Sequence, residues 1–166
     1  MYINNARDVD HNNPATARVL MARILVVDDS ITVAKYVETV LKAEGHSLAM
    51  AADGEEALAR IKSDNFDLLI LDVVMPRKNG YQVCREIKSN EQYKTIPVIM
   101  LTTKGLDHDK FWGLRQGAND YLTKPCTPED LVCAVNKQVS DRRPRSASNI
   151  RVPGEAPKSF SYRFNY

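Results

Sequence analysis

Residues 24–30 read ILVVDDS: four branched apolar side chains run straight into two adjacent carboxylates and a serine. An unbroken apolar run of this length suits a strand covered on both faces, whereas a half-exposed strand alternates. Adjacent carboxylates repel, and neither is buried cheaply without a counter-charge. The stretch therefore predicts a buried strand whose far end gathers negative charge that other residues must balance.

Outward from this stretch, strand-like runs recur at 47–51, 68–71, 98–101 and 121–123. The runs at 68–71 and 98–101 are again nearly continuous. Helical spacing fills the intervals. Val33, Val37, Val40 and Leu41 fall at i, i+4, i+7 and i+8, with Gly45 as a stop. Asp53 caps a second helix marked by Ala57, Leu58 and Ile61, and Val83, Cys84 and Ile87 mark a third. Phe111, Leu114 and Arg115 mark a fourth, closed by Gly117, in which Trp112 is expected to be partly buried. The fifth opens on Thr127-Pro128-Glu129-Asp130, with a cap, a proline at the first helical position and acids in the first turn. Its core face is Leu131, Val132, Val135 and Val139. Five strand–helix repeats predict an α/β fold, a doubly wound (βα)5 sandwich around a parallel sheet, because parallel strands need crossovers.

Composition agrees with one ordinary globular domain: 166 residues, 43% hydrophobic, 27% charged, net charge +2. Residues 1–21 lack apolar periodicity and are expected to be a disordered lead-in, with Met21 as a second candidate start. Residues 22–139 are the expected domain. Residues 140–166 read as a flexible tail with six basic residues against two acids, a balance that suits a polyanionic partner. Phe160, Tyr162, Phe164 and Tyr166 alternate near its end, as in a short edge strand or a docking peptide. No run is long and apolar enough to span a membrane, and residues 1–21 lack the apolar segment of a signal peptide. Three cysteines without metal-type spacing suit a reducing, cytoplasmic setting, with Cys84 and Cys133 expected on apolar helix faces.

The chemistry lies at the strand ends. In such sheets ligands bind beyond the carboxyl ends of the strands. Asp28 and Asp29 end the first run, Asp72 the third, Thr102 the fourth and Lys124 the fifth. Three carboxylates brought together require a cation, and hard oxygen donors of this kind suit Mg²⁺, which favours sites shared with phosphate. A carboxylate nucleophile flanked by a hydroxyl and an ammonium is arranged for phosphoryl transfer.

The strings LVVDDS, DLLILDVVMPRKNG, IPVIMLTT and GANDYLTKP resemble the receiver domain of two-component response regulators, the CheY-like superfamily, over residues 22–139. The resemblance implies a flavodoxin-like sheet order of 2-1-3-4-5 and a phosphoacceptor at Asp72, charged by a sensor histidine kinase or phosphotransfer protein. It implies Mg²⁺ held by Asp28, Asp29, Asp72 and the carbonyl of Val74, and a switch hydroxyl at Thr102. Tyr121 is implied as the aromatic that rotates with that hydroxyl, and Lys124 as the ammonium, aimed by a cis bond to Pro125. The effector face would be the fourth helix, fifth strand and fifth helix. The resemblance also implies that Val74 and Lys104 occupy positions that tune phosphoryl lifetime, where an apolar Val74 would mean slow hydrolysis.

The string KFWGLRQGA further resembles stand-alone regulators of type IV pilus and twitching motility. The expected function is therefore a single-domain regulator of pilus or chemotaxis-like motility that acts by protein contact. It turns over no external substrate, binds no specific DNA, and is a monomer or a phosphorylation-dependent dimer. The alternatives are a nucleic-acid binder or transcription regulator working through the basic tail, and a phosphate sink without an effector.

Overall fold

The computed structural model describes residues 21–140. The expectations for the lead-in and the tail lie outside these residues, except at Met21 and Ser140. The strands are β1 (Arg23–Val27), β2 (Ser47–Ala51), β3 (Leu68–Leu71), β4 (Val98–Thr102) and β5 (Asp120–Thr123). Alternating with them are α1 (Ile31–Ala43), α2 (Gly54–Ser63), α3 (Gly80–Ser89), α4 (Asp107–Arg115) and α5 (Pro128–Ser140). All strand pairs are parallel, in the order β2-β1-β3-β4-β5.

The continuous apolar runs now have a physical reading. Successive residues of a strand point to opposite faces, and both faces here are covered. Leu25, Val27, Leu69, Leu71, Val98 and Met100 pack with Ala57 and Ile61 of α2 and Val83, Cys84 and Ile87 of α3. Their neighbours Ile24, Val26, Leu68, Ile70, Ile99 and Leu101 pack with Val37 and Leu41 of α1 and Leu131, Ala134, Val135 and Val139 of α5. Caps fix where the helices begin. The Ser30 hydroxyl accepts from Val33 N, Asp53 from Glu55 N and Glu56 N, and Asn79 forms a reciprocal box with Gln82.

Two helix faces differ from the sequence reading. In α4 the buried residues are Asp109 and Gly113, while Phe111, Trp112 and Leu114 are more than half exposed. Trp112 is therefore a surface residue, not a partly buried one. The reason is local. A Cβ added to Gly113 would lie 2.8 Å from two ring carbons of Tyr121 and 2.9 Å from Met100 Sδ. The helix meets the sheet through a bare backbone, and its apolar side chains are turned outward. In α5, Cys133 is exposed and Ala134 takes the core position, with Val132 only half-buried.

Candidate functional site

The sheet delivers the acids to one edge. Asp72 N donates to Val27 O at 2.9 Å and Asp28 N to Ala51 O at 3.1 Å, so both residues lie one step beyond the last paired residues of β3 and β1. Their side chains are buried, while that of Asp29 is exposed. Each buried acid divides its two oxygens in the same way. Asp28 Oδ1 accepts from Ser30 N at 2.9 Å and Asp72 Oδ1 from Val74 N at 3.2 Å. Lys124 Nζ lies 2.6 Å from Asp28 Oδ2 and 3.1 Å from Asp72 Oδ2, bridging the two. One carboxylate oxygen from each of Asp28, Asp29 and Asp72 falls within 4.8 Å of the others.

This donor set holds three negative charges against one ammonium. Burial pushes the Asp28 carboxyl above its usual range and the nearby Asp72 adds to the push, against Lys124 and the Ser30 N–H. An all-oxygen cluster with surplus negative charge is the chemistry that a hard divalent cation such as Mg²⁺ takes up. The three residues thus fit the ion.

Thr102, the last residue of β4, is fully buried. Its hydroxyl accepts from Lys104 N at 3.4 Å, and the Lys104 carbonyl accepts from the Tyr121 hydroxyl at 2.7 Å. Thr102, the loop after β4 and Tyr121 are therefore one hydrogen-bonded chain. Burial raises the Tyr121 pKa, with Tyr81 adding to it, so the hydroxyl stays protonated as a donor. Lys124 N donates to Thr102 O at 2.8 Å, and the Lys124–Pro125 bond is cis. Val74 is half exposed, beside the acids through its N–H.

The structure adds residues that sequence reading passed over. Arg77, with a left-handed φ of 64°, pairs with the buried Asp53 at the start of α2. That pair ties the loop after Asp72 to the neighbouring helix. A Cβ on Gly80 would lie 2.1 Å from the Asp72 carbonyl oxygen, so α3 can start against this loop only at a glycine. The glycine ending the MPRKNG string was the available signal for that contact. Arg77 offered none.

A parallel sheet of this order, with an acid triad and a lysine at its carboxyl edge, defines a class, and comparison with known sequences agrees. The response regulator receiver domain pattern matches residues 24–136, and the chain belongs to that family. It is a phosphorylatable response regulator, of a family that generally binds Mg²⁺ and works with histidine kinases or phosphotransfer proteins. It is 42% identical over 116 residues to Protein PilH of Pseudomonas aeruginosa, covering 70% of this chain and 96% of that one. To Protein PilG of the same organism it is 40% identical over 125 residues, covering 75% and 93%. The solved structure of the chemotaxis protein CheY4 of Vibrio cholerae superposes with a TM-score of 0.67 at 38% identity, covering 70% of this chain and 98% of that one. Among the described residues no helix is long and apolar enough to cross a membrane.

Proposed function

We propose that Asp72 accepts a phosphoryl group from a phosphohistidine of a sensor histidine kinase or phosphotransfer protein. The bridging of Asp28 and Asp72 by Lys124 is the observation that carries this reading. A carboxylate oxygen of Asp72 attacks phosphorus, the bond from phosphorus to the donor imidazole nitrogen breaks, and its electron pair returns to the ring. Lys124 holds the acceptor in place beforehand and then turns its ammonium to the phosphoryl oxygens. Asp28, Asp29 and Asp72, with the Val74 carbonyl, would hold Mg²⁺, which when bound neutralises charge on the transferred group.

The added charge and acceptor oxygens on Asp72 give the Thr102 hydroxyl a stronger partner than Lys104 N. Drawing Thr102 away loosens the chain through Lys104 to Tyr121, a shift between two packings and not a new fold. Tyr121 packs against Gly113, so α4 feels the change directly. The exposed Leu106, Phe111, Trp112 and Leu114 make the face formed by α4, β5 and α5 the effector surface. The protein acts in the cytoplasm by protein contact, as a monomer or phosphorylation-dependent dimer, and turns over no external substrate. Similarity to PilH, PilG and the chemotaxis protein CheY4 supports a role in pilus or chemotaxis-like motility.

Amide NMR with beryllofluoride, a stand-in for the bound phosphoryl group, tests the whole chain of events. With Mg²⁺ the signals of Thr102, Lys104, Gly113 and Tyr121 should move together, and EDTA should reverse them. Shifts confined to residues beside Asp72 would contradict the switch.

A further inference from the structure

The described domain has an apolar groove of about 530 Å³ beside the acid cluster, lined by Val33, Tyr36, Leu101, Lys124, Pro125 and Cys126 among others. Apart from Lys124, its lining has no part in phosphoryl transfer. Acids stand on its rim: the carboxylates of Glu129 and Asp130 are near enough to the Tyr36 hydroxyl to oppose its ionisation. We propose that the aromatic segment at residues 160–166 of this same chain docks in this groove, so that the protein carries its own occupant for the face beside the phosphorylation site.

Reach supports an intrachain contact. The groove adjoins the start of α5, since Cys126 precedes Pro128 by two residues, and Ser140 ends that helix. Thirteen residues at about 1.5 Å each make α5 about 20 Å long. Twenty residues lead from Ser140 to Phe160, and a random-coil chain of that length would have an r.m.s. span of about 25 Å. Span and distance match, the condition under which a tethered segment reaches an effective concentration in the millimolar range.

Chemistry supports the choice of groove. Phe160, Tyr162, Phe164 and Tyr166 alternate, so an extended backbone presents all four rings to one side. The tail they end has six basic residues against two acids, complementary to the rim. The competing apolar surface on α4 is charge-balanced, with Asp107 and Asp109 against Lys110 and Arg115, and so offers a basic tail no net attraction. Seated in the groove, the segment covers Lys124 and the Cys126 thiol.

The Cys126 thiol makes the contact measurable. In the full chain carrying Cys133→Ser, which removes the exposed thiol and leaves Cys84 buried, alkylation of Cys126 by N-ethylmaleimide is followed by mass spectrometry at low protein concentration. Replacing Phe160, Tyr162, Phe164 and Tyr166 by Ser should raise the rate several-fold. Excess synthetic peptide of residues 158–166 should lower it again. An unchanged rate in the substituted chain would overturn the proposal. So would protection that weakens on dilution, because the occupant would then be the tail of a second copy. The assay needs neither phosphate nor Mg²⁺, so its failure leaves the reading of Asp72 untouched, and the converse also holds.

Discussion

Asp28 and Asp53 are each 6% exposed, with the Asp28 carboxylate set the deeper of the two, and each faces one long cation, Lys124 or Arg77. Their carboxyl groups are nevertheless driven in opposite directions. Asp53 lies at the start of α2, where the N–H groups of Glu55 and Glu56 and the Arg77 guanidinium hold its pKa below the usual range, with the Glu56 N–H contributing most. Asp28 has one backbone N–H and Lys124, but burial outweighs both and Asp72 adds repulsion, so its pKa is raised. Low exposure therefore has two meanings. At Asp53 the surroundings were built for the charge, and the acid stabilises the fold. At Asp28 they leave the charge underpaid, as expected of a site kept ready for a cation.

Substituting Lys124 should break this contrast most severely. In EDTA at neutral pH, Lys124→Met leaves Asp28 and Asp72 buried without their shared counter-ion, at a cost of about 3 kcal/mol by urea unfolding. Added Mg²⁺ should recover much of that loss, because it supplies positive charge to the same oxygens.

A smaller effect, with opposite signs at the two acids, should appear in the pH dependence of unfolding without metal. The raised pKa of Asp28 makes its contribution to stability full below the ordinary value near 3.8, and lost as pH rises through the folded-state value. The lowered pKa of Asp53 makes its contribution full above that ordinary value, and lost as pH falls through the folded-state value. Asp28→Asn should thus raise the urea midpoint at pH 7, and Asp53→Asn should lower it. Midpoints shifting in the same direction would remove the distinction.

Arg77 separates pairing from backbone strain on the Asp53 side. Its left-handed φ of 64° costs an L-residue about 1 kcal/mol, a strain that glycine escapes. Arg77→Ala loses the ion pair and keeps the strain, so its melting temperature should fall. Arg77→Gly loses both and should stay nearer the parent. The least effect is expected at the α4 surface, where Trp112→Gln should change stability by less than about 0.5 kcal/mol while weakening effector binding.

The parts of this picture that sequence made legible depend on periodicity and on strand ends. Unbroken apolar runs marked strands covered twice, and the alternation of Leu25 and Val27 against Ile24 and Val26 between two cores accounts for them. Asp28, Asp72, Thr102 and Lys124 were readable as neighbours because each follows or ends such a run. The outward turn of α4 was not legible. Its inward face is Asp109 and Gly113, which leave no apolar stripe, while Phe111, Trp112 and Leu114 imitate one on the wrong side. The Asp53–Arg77 pair was hidden for another reason. It joins residues 24 apart through a left-handed arginine, and neither hydropathy nor spacing registers that conformation.

The central claim is that Asp72 is the phosphoacceptor, and labelling with radioactive acetyl phosphate and Mg²⁺ tests it directly. The parent chain should take up label that hydroxylamine releases, as an acyl phosphate does. Asp72→Asn, folded by circular dichroism, should take up none. Undiminished labelling of that variant would place the acceptor elsewhere and contradict the account.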